Sequence, residues 1–297
     1  MHPDELDIDA SLVAGLIAAQ FPQWAGLPVV KVPSAGTDHA MYRLAENMVV
    51  RLPRITRAAD RVDTEQRWLP RLSPHLPLQV PVALGLGAPG EGFPMPWSVY
   101  AWVDGENAFD RPVVDLHDAA IELGAFLVAL RGVDATGGPP SYRGGPMSAS
   151  DDAATRSAIR VLSAEGLIDG AVATAAWEQV LELPQWEGEP GWLHGDLMPG
   201  NLLTRHGRLT GAIDFGIVGI GDSTCDLIPA WYLFSGETRE LFRSAADVDD
   251  ITWARGRGWV LRLGLGSKHY YRTKNPPLAT VGRRAMFEAL ADIGSTG

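Results

Sequence analysis

The sequence predicts an α+β protein of two lobes, and the arrangement of its apolar residues carries this prediction. Short apolar stretches separated by turn residues fill residues 27–103, with one helical segment among them. From Val114 onward, apolar residues recur mainly at helical spacing. A length of 297 residues is enough for two lobes that each bury a core. We therefore expect a small antiparallel-sheet lobe at residues 1–102 and a larger, mainly helical lobe at residues 103–297.

The first lobe is predicted to contain five strands and two helices. Asp9 precedes apolar residues at helical spacing, as expected of the residue that caps a first helix. A second helix is predicted between the third and fourth strands, over Thr56–Leu72. The strands are predicted at Leu27–Pro33, Met41–Leu44, Asn47–Leu52, Val82–Leu86 and Trp97–Val103.

The second lobe is predicted to be helical apart from a cluster of short strands. Its first helix is predicted over Leu116–Leu130. The short strands are expected at Trp192–Leu193, Leu202–Leu203 and Leu209–Ile213. They flank a group of polar residues, which makes this cluster the place to look for chemistry.

Composition and charge exclude several classes of function. Cys225 is the only cysteine, so no intramolecular disulfide can form, which favours a reducing, cytoplasmic location. The acidic N-terminus is unlike a secretory signal, and no apolar run approaches the ~20 residues that span a bilayer, so we expect no membrane partner. The net charge of −11 argues against a nucleic-acid partner, which requires a basic surface.

The charge is distributed unevenly along the chain. Residues 103–250 hold 9 Lys and Arg against 24 Asp and Glu, whereas residues 251–297 hold 8 against 2. An acidic middle segment is able to attract a cationic small molecule, through residues such as Asp151 and Asp152. The basic tail favours a less cationic molecule if it lines the same pocket. Solubility alone also explains an acidic segment.

Three polar residues among the short strands have the spacing of a phosphoryl-transfer site. Asn201 follows Asp196 by five residues, and Asp214 follows Asn201 by thirteen. Phosphoryl transfer needs a carboxylate that orients the attacking hydroxyl and accepts its proton, a role that suits Asp196. It also needs oxygen ligands that hold Mg²⁺ on the phosphates, a role that suits Asn201 and Asp214. Because short strands flank these residues, their side chains are expected at one edge.

The segment Trp192–Leu227 resembles the aminoglycoside phosphotransferases, relatives of choline kinases and protein kinases. The resemblance rests on His-Gly-Asp at residues 194–196, on Asn201, on Asp-Phe-Gly at residues 214–216 and on Gly-Asp-Ser-Thr-Cys-Asp-Leu at residues 221–227. It implies the two-lobed protein-kinase-like fold, with ATP or GTP as phosphoryl donor and Mg²⁺ as metal. His194 is expected to hold the loop by hydrogen bonds rather than to take part in the chemistry.

The resemblance also implies a nucleotide site in the first lobe. Arg51 stands on the third strand where many relatives have Lys, and a guanidinium can grip phosphate with two hydrogen bonds. Glu65 on the following helix is its expected partner. The turn between the first two strands contains only one glycine, Gly36, and its Ser34 and Thr37 are expected to contact the phosphates. The base of the nucleotide is expected to form hydrogen bonds with backbone groups near Tyr100 and Trp102.

The acceptor is less well defined than the donor. The resemblance favours an aminoglycoside or another sugar-bearing antibiotic, bound by a monomer or a homodimer. A metabolic kinase acting on choline, homoserine or a sugar, and a nucleoside or macrolide antibiotic kinase, remain open. A catalytically silent nucleotide-binding protein is disfavoured because Asp196, Asn201 and Asp214 are all present.

Overall fold

The computed structural model describes residues 6–33, 38–271 and 276–294. Its first helix, α1, spans Ala10–Gln20 and begins as predicted at Asp9, whose carboxylate accepts a 2.8 Å hydrogen bond from the Leu12 N–H. The buried side chains of α1 join one apolar cluster with those of the strands that follow.

A five-stranded antiparallel sheet forms the first lobe, in the spatial order β1-β2-β3-β5-β4. The prediction of a small antiparallel sheet is confirmed. The first and fifth strands are shorter than predicted, the second begins two residues earlier, and the third and fourth are shifted by one residue. They are β1 at Val29–Lys31, β2 at His39–Leu44, β3 at Met48–Pro53, β4 at Ala83–Gly87 and β5 at Trp97–Ala101.

Helix α2, at Ala59–Leu72, connects β3 to β4 and joins the two lobes. A 3-10 turn at Thr56–Ala58 precedes it, within the segment predicted as one helix. Buried Trp68 packs against Trp192 of the second lobe, with ring centroids 5.0 Å apart. The buried side chains of Trp68, Leu69 and Leu72 therefore belong to the apolar core of the second lobe.

The second lobe is mainly helical around two small sheets. Strands β6, β8 and β9 form one sheet, and β7 pairs with β10 in the other. The sequence pattern did not predict the two- and three-residue strands β6 and β10. In chain order the elements are β6 (Glu106–Asn107), α3 (Leu116–Arg131), α4 (Ala149–Ala164), α5 (Gly170–Leu181), β7 (Gly191–Leu193), β8 (Leu202–Arg205), β9 (Arg208–Ala212), β10 (Gly219–Gly221), α6 (Pro229–Tyr232), α7 (Gly236–Ala245), α8 (Asp250–Tyr271) and α9 (Pro276–Gly294).

The long helices of the second lobe pack around α8. Helix α8 contacts α4, α5 and α9, and it also lies against the 3-10 segment Ser223–Leu227. None of the helices in the described ranges is long and apolar enough to cross a bilayer. This packing places the short strands, and the loops that leave them, at the side of the second lobe that faces α2 and the first sheet.

Candidate active site

The loop that joins β7 to β8 is built on a buried histidine. The His194 side chain is fully buried; its Nε2 lies 3.0 Å from the Ile213 carbonyl, and its Nδ1 accepts a 3.2 Å hydrogen bond from the Asp196 N–H. Its ring also packs edge-on against Phe215, with centroids 4.5 Å apart. These contacts tie the loop to the segment around Asp214, which is the holding role expected for His194.

Asp226 holds the start of the same loop by hydrogen bonds to its backbone. Its two carboxylate oxygens accept hydrogen bonds from the backbone N–H groups of His194 and Gly195, at 2.6 and 2.7 Å. Burial raises the pKa of Asp226, and these hydrogen bonds oppose the rise. Gly195 has φ +83°, and a Cβ there would lie 3.2 Å from Ile217, so the turn requires glycine.

Asp196 and Asn201 are in direct contact. The Asn201 Nδ2 donates to the Asp196 carbonyl at 2.8 Å and to its Oδ2 at 3.1 Å. Because the amide nitrogen is used in this way, the Asn201 Oδ1 is the atom left for a cation. The Asn201 carbonyl accepts a 2.8 Å hydrogen bond from the N–H of Ile213, which directly precedes Asp214. The three residues predicted from spacing are thus linked in one small region.

Asp214 has an unusual backbone and a strong ion pair. Its φ is +67°, in the left-handed region that non-glycine residues seldom adopt, which indicates local strain. Its Oδ1 lies 2.5 Å from Arg51 Nη2. Burial would raise the pKa of Asp214, but the charge of Arg51 outweighs burial and holds that pKa far below its usual range. Asp214 therefore carries an ionised carboxylate at any physiological pH.

Arg51 also binds Glu65, so the predicted partners are in contact. Arg51 Nη1 lies 2.8 and 2.7 Å from the two Glu65 oxygens. The Tyr100 hydroxyl donates to the same carboxylate at 2.9 Å. Glu65 is almost completely buried, and this network satisfies its charge. One guanidinium thus connects β3, α2 and Asp214.

His39 is a neighbour of Arg51 that the sequence did not single out. Its Nδ1 accepts a 3.2 Å hydrogen bond from Arg51 Nη2. Burial, followed by the charge of Arg51, lowers the pKa of His39 to about 3, so the ring is neutral at physiological pH. A histidine at the first position of a short strand carries no spacing signal, and only the fold reveals its position.

The remaining predicted nucleotide residues differ in what they offer. Tyr100 uses its hydroxyl on Glu65 and pairs with β3 and β4 through its position in β5. The Trp102 N–H donates to the Asn47 carbonyl at 2.8 Å, and Arg43 stacks 3.7 Å from the centroid of its ring. Ser34 and Thr37 lie outside the described residues.

Arg143 is the second site residue that the sequence pattern missed. It belongs to the connection between α3 and α4, and its Nη1 lies 2.7 Å from Asp196 Oδ1. The same Nη1 donates to the Gly195 carbonyl at 2.6 Å. No motif precedes it in the sequence, so only the three-dimensional packing places it against Asp196.

Asp151 and Asp152, the acidic residues expected to attract a cationic acceptor, have partners within the protein. Asp151 caps α4 with Ser148 and pairs with Arg262. Asp152 accepts hydrogen bonds from Arg156 at 2.7 Å and from the indole N–H of Trp177 at 2.8 Å. Similar internal partners engage Asp169, Asp249 and Asp250, and the tail arginines Arg255 and Arg257.

A family model described as the phosphotransferase enzyme family matches residues 29–259. The chain belongs to this family. The matched range includes Arg51, Asp196 and Asp214, so the candidate site of this phosphotransferase lies inside the region shared with the family. Accordingly, the protein is an enzyme that transfers a phosphoryl group to a hydroxyl. No curated protein matches the chain in sequence.

Solved structures share the fold of this phosphotransferase at low sequence identity. The GDP complex of wild-type aminoglycoside 2'-phosphotransferase-IIIa is 19% identical with a TM-score of 0.72, over 96% of this chain and 99% of that chain. A complex of an APH(2") enzyme with GDP and kanamycin is 20% identical with a TM-score of 0.69, over 96% of this chain and 99% of that chain. Macrolide 2'-phosphotransferase MphH from Brachybacterium faecium is 23% identical with a TM-score of 0.61, over 94% of this chain and 97% of that chain. The two-lobed kinase-like fold is thereby confirmed.

Proposed function

We propose that this phosphotransferase transfers the γ-phosphoryl group of ATP or GTP to a hydroxyl of an aminoglycoside or another sugar-bearing antibiotic, and that it confers resistance by doing so. The observation that carries the proposal is the linkage of Asp196, Asn201 and Asp214 beside Arg51. The neighbouring structures support it, because one contains GDP and kanamycin, another contains ATP and streptomycin, and a third is a macrolide 2'-phosphotransferase.

Asp196 is the proposed catalytic base. Its Oδ2 is held by Asn201 and its Oδ1 by Arg143, so the carboxylate has a fixed orientation. Each oxygen keeps a lone pair with which to accept a hydrogen bond from the attacking hydroxyl. Orienting that hydroxyl in line with the phosphoryl group, and taking its proton as the new P–O bond forms, is the contribution of this residue.

Asn201 and Asp214 are the proposed Mg²⁺ ligands. Both offer oxygen atoms, which suit a hard cation, and the hydrogen bond from Ile213 to Asn201 keeps them adjacent. The low pKa of Asp214 keeps its carboxylate charged for this purpose. A bound Mg²⁺ would neutralise charge on the phosphates during transfer.

Residues 1–102 form the proposed nucleotide-binding lobe. Arg51 is the proposed phosphate clamp, oriented by Glu65. Ser34 and Thr37 remain proposed phosphate contacts, and the backbone near Tyr100 and Trp102 remains the proposed base contact. Residues 103–297 supply catalysis and acceptor binding. The location is proposed to be cytoplasmic, with a monomer or homodimer as the working unit.

Two alternatives keep the same site chemistry and change the acceptor. A metabolic kinase would act on choline, homoserine or a sugar. A macrolide or nucleoside antibiotic kinase is the other alternative, and the likeness to a macrolide phosphotransferase favours keeping it.

A nucleotide-consumption screen tests the proposal. The purified protein is incubated with Mg²⁺ and ATP or GTP, together with aminoglycosides, macrolides, nucleosides, choline, homoserine and simple sugars in separate reactions. We expect consumption that depends on an antibiotic acceptor and disappears in Asp196→Ala. Consumption that responds only to choline, homoserine or a simple sugar would support the metabolic alternative instead.

A further inference from the structure

Arg143 is held in place by the backbone around it. The segment that carries it runs along β10: the Ser141 N–H donates to the Ile220 carbonyl at 2.9 Å, and the Asp222 N–H donates to the Gly144 carbonyl at 2.8 Å. The contact is so close that a Cβ on Gly221 would lie 2.2 Å from the Gly144 oxygen. Arg143 therefore reaches Asp196 from a firmly packed loop rather than as a mobile surface side chain.

The two oxygens of Asp196 face different partners. Asn201, the proposed metal ligand, holds Oδ2, whereas Arg143 holds Oδ1. Arg51, Glu65 and Asp214 form their own network, and Arg143 makes no hydrogen bond to any of them within the described ranges. Arg143 thus lies on the side of the catalytic carboxylate that is not occupied by the metal and nucleotide residues.

The guanidinium has unused hydrogen-bonding capacity. Within the described ranges only its Nη1 donates a hydrogen bond, which leaves Nη2 accessible and unpaired there. Its Nε and the hydroxyl of nearby Tyr232 are buried without a partner among the described residues. Unpaired buried donors of this kind are uncommon in folded proteins, and a water is one group that satisfies them. The accessible Nη2 is the donor that an oxygen of a bound ligand can reach.

The charge balance points to the same class of ligand. Arg143 and Arg262 stand near the catalytic loop, and both act on the pKa of the buried Cys225 thiol. Asp196 and Asp151 are each paired with one of these arginines, Asp222 pairs with Arg255, and Asp226 accepts hydrogen bonds from the loop backbone. An ammonium group placed next to the reacting hydroxyl would therefore meet a fixed positive charge beside carboxylates that described residues already engage.

We infer that Arg143 forms an acceptor subsite beside Asp196, and that the acceptor presents to it a hydrogen-bond-accepting oxygen, rather than an ammonium group, next to the hydroxyl that receives the phosphoryl group. This inference rests on the proposed function and narrows its acceptor class. It places neutral, hydroxyl-rich acceptors ahead of polycationic ones. Arg143 also positions Asp196, since it holds one of the two carboxylate oxygens.

Matched acceptors test the inference directly. Initial rates are measured for kanamycin against fully N-acetylated kanamycin and for glucosamine against glucose. We expect kcat/KM to be at least about tenfold higher for the member of each pair that lacks the ammonium group. A preference for the ammonium member in these pairs would overturn the inference.

Variants of Arg143 separate a subsite from a merely structural role. Arg143→Gln should raise the acceptor KM at least about tenfold while the nucleotide KM changes less than about twofold, and Arg143→Lys should recover part of the loss. Arg160→Gln, on an exposed turn of α4, is the control of equal charge change and should match wild type. A rise in nucleotide KM instead would assign Arg143 to the phosphates and overturn the inference.

A binding measurement keeps this failure distinct from failure of the proposed function. Thermal unfolding of the wild-type protein is followed with MgATP and with MgGTP. If neither raises Tm, the proposed function itself is wrong. If one of them raises Tm and the acceptor preferences run opposite to expectation, only the Arg143 subsite is wrong.

Discussion

Arg51 and Asp214 form a 2.5 Å ion pair between the first lobe and the loop that follows β9. The same guanidinium binds Glu65, so a single side chain pairs with two carboxylates on different elements. Arg51→Met would leave Glu65 buried without its charge partner, a loss that typically costs about 3–5 kcal/mol. We expect a lower free energy of unfolding in urea and a higher nucleotide KM. Unchanged stability would show that this network contributes little.

The pairing of Arg51 with Glu65 makes a second, quantitative prediction. Glu65→Gln should reproduce part of the rise in nucleotide KM caused by Arg51→Met, because it removes the group that orients the guanidinium. The double variant should lose less than the sum of the single losses, since the two residues share one interaction. Strictly additive losses in this double-mutant cycle would mean that a different basic residue clamps the phosphates.

Asp214→Asn tests the metal site. The substitution keeps the shape of the side chain and removes its negative charge, so Mg²⁺-nucleotide binding should weaken. Asn201→Ala should have a milder effect. Mg²⁺ is titrated at fixed nucleotide, with phosphotransfer rate and Tm as readouts. A Mg²⁺ requirement that is the same in both variants as in wild type would place the metal elsewhere.

His39 predicts a particular acid sensitivity. Its pKa is about 3 in the folded protein and about 6.5 when unfolded, so between these values the unfolded chain binds a proton that the folded chain does not. Stability from this group is therefore complete above pH 6.5 and falls as pH decreases toward 3. Between pH 7 and pH 5 we expect a loss of about 2 kcal/mol that His39→Gln does not show.

The control for this measurement is His75→Gln. His75 is exposed, so its replacement should leave the wild-type pH dependence in place. Urea unfolding at pH 7 and at pH 5 gives the comparison. If His39→Gln and wild type lose equal stability between these two pH values, the low pKa of His39 is not the cause.

The sequence was sufficient for the parts of the site that lie close together along the chain. Asp196, Asn201 and Asp214 sit on the loops that leave β7 and β9, and a fixed spacing between short strands brings them together. Glu65 was predictable as the partner of Arg51 because the resemblance places Arg51 on the third strand and Glu65 on the helix that follows it. These residues share local order and a known arrangement.

The residues that the sequence missed depend on packing between distant segments. Arg143 meets Asp196 only because the connection after α3 is pressed against β10, a three-residue strand that no periodicity indicates. His39 becomes buried only when Arg51 and Asp214 come together. The arginine partners of the acidic side chains of α4 were not predictable for a related reason, because one lies on α8 and only the packing of the two helices brings it close.

The phosphotransfer rate of Asp196→Ala tests most directly whether Asp196 is the catalytic base. With nucleotide and the acceptor found by the screen both saturating, we expect a loss of at least about 10² in kcat, because the hydroxyl loses the group that orients it and takes its proton. MgATP or MgGTP should still raise Tm as in wild type, and Asp110→Ala, at an exposed aspartate of the same lobe, should keep full activity. Turnover above about a tenth of the wild-type rate in Asp196→Ala would show that Asp196 is not the catalytic base.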